Sequence, residues 1–194
     1  QVTEYAVVSM GGISASGTIR RGSDEIDKAI IKHLKRDRDI LIGPHTAREI
    51  KYKISSAQKR ECETALMVSG KSNLDEMPIS FEITSNEVYP YVDEQINLLV
   101  RDIHAGISEF LPELLADAAD HGILLCGGGG LVFDMAKRIE SELEIRCNII
   151  DEPRLAKING LGALMVNDEL LESNGYRFIF KDEIRDRISK YEKM

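Results

Sequence analysis

The feature of this 194-residue chain most able to do chemistry is a run of four glycines, Gly127 to Gly130. It follows the apolar stretch Gly122-Ile123-Leu124-Leu125-Cys126 and precedes a segment of helical spacing from about Phe133 to Leu143. A strand that ends in glycines and feeds a helix offers bare backbone to a ligand, because no Cβ stands in the way. Amides at the start of such a helix can hold an anion. Tight packing or simple flexibility explains the same turn equally well. It is not a Walker loop, since no Gly-Lys-Ser/Thr follows, and it does not match the dinucleotide fingerprint.

Arg48 and Lys51 lie one turn apart on a predicted helix, 47–57, so both project from one face. They could reach a ribose or phosphate, or stand as two solvated helix charges. Asp24, Glu25 and Asp27 open another predicted helix and read as surface charges that complement its dipole. His33, His45, His104 and His121 have no metal-ligand spacing, and Ser14 and Ser16 lack a His or Asp context for nucleophilic catalysis. Cys62, Cys126 and Cys147 are odd in number and too scattered for a zinc site or a disulfide framework. The residues by themselves describe a ligand-binding α/β domain.

The elements that must position these groups follow from periodicity. Tyr5 to Met10 and Ile13 to Arg20 read as a hairpin about Gly11-Gly12. Ile26, Ile30, Ile31 and Leu34 recur at helical spacing after a candidate cap, Ser23. Thr46-Ala47-Arg48-Glu49 matches a capping box before the helix 47–57. Two alternating strands are expected at 62–69 and 79–84. A second capping box, Thr84-Ser85-Asn86-Glu87, opens a long helix with Val88, Val92, Ile96, Leu99, Ile103, Ile107 and Phe110 on one stripe. A short helix at 112–119, strands at 122–126 and 146–150, and helical segments at 155–171 and 181–194 complete the order. Strands alternating with helices at the end argue an α/β layer, with a smaller lobe placed in the middle.

Composition bounds the rest. A formal net charge of -8 and a pI near 5.1 oppose non-specific binding to nucleic acid or anionic lipid. The basic stretch Lys32 to Arg36 reads as a solvated helix end. No signal-like segment and no apolar run of about 18 residues occurs, so a cytoplasmic location is expected. Gln1 stands at the head of a strand-like run, Val2 to Met10, so the chain is expected to be cut from a longer protein.

Taken in order, the motifs resemble bacterial actin-like proteins of the rod-shape (MreB) type. Thr3-Glu4 to Ser9-Met10-Gly11-Gly12-Ile13 is similar to the strand-turn-strand after that family's second phosphate loop. Arg21-Gly22-Ser23-Asp24-Glu25-Ile26-Asp27-Lys28-Ala29-Ile30-Ile31 resembles its Gly-Gly-Asp-Glu-x-Asp-x-Ala-Ile-Ile helix start. Leu41-Ile42-Gly43 with Thr46-Ala47-Arg48-Glu49-Ile50-Lys51 resembles the helix that touches ribose and adenine. Pro112-Glu113-Leu114-Leu115, the strand into Gly127-Gly128-Gly129, Asp151-Glu152-Pro153, and Ala156 with Gly160 and Gly162 come next in the family's succession. The resemblance covers roughly residues 2–165.

It implies half of an actin fold, a ribonuclease-H-like α/β domain with a small inserted α+β lobe. Residues 1–36 with 93–175 would form the main layer, 37–92 the lobe, and 176–194 a charged helical tail. Gly127, Gly128, Gly129 and Gly130 would line an adenosine pocket, and Arg48, Glu49 and Lys51 would close over ribose and base. The cofactor would be ATP or ADP with Mg²⁺, and the partner a second copy in a head-to-tail filament. The family helix usually reads Glu-Arg-Ile-Lys, so Arg48 replaces its first acid; Ser55 stands for a glycine and Cys126 for a threonine. The family's phosphate loops and water-positioning residue lie upstream of the matched region, so residues 1–194 alone are expected not to hydrolyse ATP. A chaperone-like ATPase of the same superfamily and a nucleotide-independent scaffold are the rival expectations.

Overall fold

A computed structural model describes residues 2–167 and residue 169; the expected tail helix at 181–194 lies outside them. The chain opens with β1 (Thr3–Ser9) and β2 (Gly12–Ile19), an antiparallel hairpin. Its turn places Met10 and Gly11 at φ 53° and 78°, the left-handed pair that matches strand twist in two-residue hairpins. The Tyr5 ring lies against Gly17 and Gly106 and tilts onto Phe110 with centroids 5.6 Å apart, which docks the hairpin onto a later helix.

Helix α1 (Asp24–Asp37) buries Ile26, Ile30 and Leu34 as the spacing predicts. Ser23 holds the N-cap position, yet its side chain makes no cap hydrogen bond. Helix α2 (Pro44–Ile54) begins earlier than expected. Proline needs no donor at the first turn, so Gly43 rather than Thr46 is the cap. It also ends three residues sooner, because Ser55 turns to extended backbone. Between the two helices lies β3 (Ile40–Leu41), too short to show a period, which pairs with β4 (Ala65–Ser72). Strand β4 pairs antiparallel with β5 (Pro78–Thr84), and Val68 and Phe81 face each other across that register into the core.

Helix α3 (Ser85–Ile107) starts where the capping box places it. Thr84 Oγ1 accepts a hydrogen bond from the Glu87 amide at 3.3 Å. The Glu87 carboxylate does not complete the box; it accepts from Arg38 Nη1 and lies 3.2 Å from His33 Nε2. The buried stripe is Val88, Val92, Ile96, Val100 and Ile103, so Val100 takes the place expected for Leu99, and Phe110 falls beyond the helix end.

This seam between α1 and α3 is densely bonded. His33, 5% exposed, sits between Asp37 (2.8 Å) and Glu87 (3.2 Å) and stacks on Tyr91 at 4.1 Å. The Tyr91 hydroxyl donates to Asp37 at 2.8 Å, and Arg38 donates to the Glu82 carbonyl at 2.8 Å. Hydrogen bonds from Arg36, Tyr91 and His33 hold the Asp37 carboxyl well below the usual carboxylate range.

After α4 (Pro112–His121) comes a parallel unit: β6 (Ile123–Leu125), α5 (Met135–Leu143) and β7 (Cys147–Ile149). Met135 and Ile139 seat α5 on the common core, as does Cys147, whose thiol is pushed up by burial. Helix α6 (Ala156–Met165) covers the first part of the expected 155–171, of which 168, 170 and 171 lie outside the described residues, and leaves Ile158, Leu161 and Met165 exposed. Lys157 bonds Glu4 of β1 at 2.8 Å, which holds that carboxyl below its ordinary value.

Candidate functional site

Parallel strands bring their carboxyl ends to one edge, and ligands of α/β sheets gather there. Here β6 runs into the glycines and β7 into Ile150 to Arg154. The two loops are tied together: the Gly127 amide donates to the Pro153 carbonyl at 2.7 Å, and the Ile150 amide to the Leu125 carbonyl at 3.2 Å. Gly127 sits at φ 85°, a left-handed value that glycine takes without strain, and a Cβ added there would meet nothing within 4 Å.

The glycines do not feed a helix directly, which corrects the expectation. Gly128–Leu131 forms a single 3-10 turn, and Val132 to Asp134 intervene before α5. The amides of the α5 N-terminus therefore do not belong to the glycine run. The segment after the turn is instead joined to the end of α2. Ser56 bridges Phe133 in parallel, and the Ala57 amide donates to the Phe133 carbonyl at 2.8 Å. That pairing sets the last turn of α2 beside the glycines.

The charged residues expected on α2 part ways. Lys51 is 2% exposed, and its ammonium lies 2.7 Å from Asp27 Oδ1 and donates to the Ser23 carbonyl at 2.9 Å. Asp27 is itself buried, so neither residue is a solvated surface charge. Arg48 is half exposed, with Nε 3.8 Å from Asp27 Oδ2. Glu49 pairs with Lys53 at 2.7 Å on the outer side of the helix. Lys51 and Arg48 are thus both turned toward Asp27 at the start of α1, while Glu49 is engaged elsewhere.

Two residues that spacing does not single out complete the rim. Arg154 lies over the Tyr52 ring, 4.5 Å from guanidinium carbon to centroid, and Lys51 Nζ is 5.0 Å from the same centroid. A Cβ built on Gly128 would stand 3.1 Å from the Tyr52 hydroxyl and 3.7 Å from Arg154 Nε, and one on Gly129 would lie 3.7 Å from Ser23 Cβ. The start of α1, the end of α2 and the loops after β6 and β7 therefore meet at one place. A readable signal existed: Arg154 is in the loop after β7, as the glycines are in the loop after β6.

Two hollows lie on other faces. One of about 280 Å³ between α1 and α3 is lined by Lys28, Lys32, Arg36 and Tyr91. Another of about 480 Å³ beside α3 is lined by Arg101, Asp102 and Glu142. Neither includes the glycine turn. Among the described residues no group of three or more His, Cys, Asp or Glu is placed to hold a metal ion, and no helix is long and apolar enough to cross a membrane.

A family model described as MreB/Mbl protein matches residues 1–173. The cell shape-determining protein MreB of Escherichia coli (strain K12) is 30% identical over 173 residues, 89% of this chain and 49% of that protein. MreB of Pasteurella multocida (strain Pm70) is 32% identical over 184 residues, 94% of this chain and 51% of that protein. Mbl of Bacillus subtilis (strain 168) is 28% identical, over 87% and 51%. The chain spans about half the length of the curated relatives it matches. Among solved structures, MreB5 of Spiroplasma citri bound to AMPPNP aligns with a TM-score of 0.81 at 24% identity, over 90% of this chain and 52% of that one. The MamK double helical filament aligns with a TM-score of 0.64 at 15% identity, over 78% and 46%. The fold is α/β of the actin-like kind.

Proposed function

The chain belongs to the MreB/Mbl family, and from that premise we propose that it supplies the nucleotide-side layer of an actin-like cytoskeletal subunit. In this reading it binds adenine nucleotide at the glycine turn and assembles head to tail into filaments. One observation carries it: bare glycine backbone, the last turn of α2 and the loop after β7 converge on one edge of a parallel strand pair. The relatives crystallised with AMPPNP and with ADP, and the filament formed by MamK, support the ligand and the assembly.

The residues fit a nucleoside. Gly127 leaves open space, Tyr52 offers an aromatic face, and Arg154 and Arg48 bring positive charge toward a phosphorylated ligand. Lys51 acts differently from the sequence expectation. Its ammonium is committed to Asp27 and Ser23, so it braces α2 against α1 beneath the ligand instead of donating to it. Glu49, paired with Lys53, contributes at most to the outer edge. In the whole protein ATP with Mg²⁺ would supply the phosphoryl bond whose hydrolysis, leaving ADP and phosphate, biases filament stability. In this division 37–92 would be the inserted lobe and 1–36 with 93–175 the main layer, of which 1, 168 and 170–175 lie outside the described residues. Hydrolysis is not assigned to residues 1–194 by themselves.

Calorimetry of the chain with ADP and with ATP, each with and without magnesium, tests the ligand, and electron microscopy of the same samples tests assembly. Weak, saturable binding that depends little on magnesium is expected, with filaments or short oligomers at high concentration. No binding of either nucleotide would end the ligand reading, tight magnesium-dependent ATP binding would overturn the division of labour, and strictly monomeric chains would end the assembly reading.

A further inference from the structure

Away from the glycine turn, a second set of titratable groups surrounds His33. The ring is 5% exposed, and each of its nitrogens meets a carboxylate oxygen: Nδ1 lies 2.8 Å from Asp37 Oδ2, and Nε2 lies 3.2 Å from Glu87 Oε1. A neutral imidazole has one N–H and one lone pair, whereas the doubly protonated ring has two donors and no acceptor. Either neutral tautomer therefore sets a lone pair against a carboxylate oxygen. Only the doubly protonated ring donates to both.

The neighbours leave the neutral ring no other arrangement. Tyr91 stacks on it at 4.1 Å, and the Tyr91 hydroxyl donates to the same Asp37 oxygen. Arg36 donates to both oxygens of Asp37, and Arg38 to both of Glu87. These two guanidiniums offset the two carboxylates, so donor geometry, not net charge, decides what the ring must carry. Asp37 cannot lend the missing proton, because bonds from Arg36, Tyr91 and His33 hold its carboxyl well below the usual carboxylate range. Glu25, Lys28 and Lys32 of α1 and Glu94 of α3 line the hollow beside the ring. From the other elements packed on α1, β3 brings no titratable group, and Arg48 and Lys51 of α2 face Asp27 near the start of that helix. From β5, Glu82 gives its carbonyl to Arg38.

The two carboxylates stand where the chain enters and leaves the three-stranded sheet. Asp37 ends α1 just before β3, and Glu87 lies in the first turn of α3 just after β5. We propose that His33 is a proton-operated clasp between these two crossings, closed on the doubly protonated ring and loosened when the ring gives one proton to water. This use of His33 does not depend on nucleotide. Its contribution to stability is full while the ring carries both protons. It is lost as pH rises through the range where histidine titrates, about 6.5 in model peptides.

The test compares urea unfolding of the chain and of His33→Gln, which keeps a polar side chain that does not titrate, at about pH 6 and about pH 9. The folding equilibrium constant of the wild type should fall about tenfold further over that interval than that of the variant. Hydrogen exchange on the wild-type chain covers the same interval and does not require the variant to fold. Corrected for the intrinsic pH dependence of exchange, protection in the last turn of α1 and the first turn of α3 should drop while that of α5 holds. Long-range proton–nitrogen spectra should show both His33 ring nitrogens protonated at the lower pH and one at the higher. Equal pH dependence in the wild type and His33→Gln would overturn the clasp. So would unchanged protection at the seam, or a ring that keeps the same number of protons throughout.

Discussion

The seam between α1 and α3 and the rim of the glycine turn are each built around an arginine lying over a tyrosine, and they use the pair in opposite ways. At the seam, Arg36 lies 5.6 Å from the Tyr91 centroid, donates twice to Asp37 (2.6 and 2.7 Å), and shares that carboxylate with the Tyr91 hydroxyl and with His33. At the rim, Arg154 lies closer to its ring, at 4.5 Å, and neither it nor the Tyr52 hydroxyl has a hydrogen-bond partner among the described residues. The first arrangement joins two helices and leaves nothing for a ligand. The second adds little to the fold and leaves donors facing a bare backbone. The two are separated by a carboxylate within reach, which completes the network at Asp37 and is missing beside Arg154.

The Lys51–Asp27 pair should show the largest effect, because it is the buried footing on which the rim stands. Lys51→Met leaves the buried Asp27 faced only by the half-exposed Arg48 at 3.8 Å, and its expected cost is about 3 kcal/mol in urea unfolding of the chain. The double variant Lys51→Met with Asp27→Leu should regain most of that loss, since an apolar pair of similar volume often replaces a buried ion pair. A single variant within about 0.5 kcal/mol of wild type would mean that the pair is solvated and that Lys51 is available to a ligand.

How legible these features were depends on the range of the interaction that made them. The hairpin, α1, α3 and the parallel unit follow from spacing alone, because each is decided by its own apolar stripe. The burial of Lys51 and Asp27 was also written in spacing, though residue type concealed it. Lys51 lies on the stripe Ala47, Ile50 and Ile54, and Asp27 beside Ile26 and Ile30. Lysine and aspartate are almost never fully buried unless paired, so each reads as surface until its partner is known. The glycine run was legible as a ligand-type turn, but not the 3-10 geometry that detaches it from α5. Tyr52 and Arg154 are far apart in the chain, and only the pairing of Ala57 with Phe133 and of Gly127 with Pro153 brings them together. His33 lies on the buried stripe of α1 with Asp37 four residues on, but its second partner, Glu87, comes from α3, and no local spacing reveals that contact.

The seam supplies the next largest effect. His33→Ala removes a buried ring that both carboxylates contact and that Tyr91 covers. Hydrogen bonds to charged groups contribute more than neutral ones, so a loss of about 2–3 kcal/mol is expected by chemical denaturation. Nucleotide affinity should be unchanged in the variant, because no seam residue lines the glycine turn. A loss of affinity equal to that of Arg154→Ala would mean that the two regions are coupled, and the contrast between them would fail.

The smallest effect on stability should come from the rim itself, and it makes the sharpest form of the comparison. Arg154→Ala removes an exposed guanidinium whose contact with Tyr52 is worth about 0.5–1 kcal/mol at such a site. Arg36→Ala removes a similar stack together with two hydrogen bonds to Asp37, and it should lower the melting temperature further. The order reverses when ADP is added. Ligand raises the melting temperature of any chain that binds it, so Arg36→Ala should keep the wild-type upward shift while Arg154→Ala loses most of it. Equal shifts in the two variants would show that an arginine over a tyrosine serves the fold alike in both places, and that the missing carboxylate beside Arg154 carries no functional meaning.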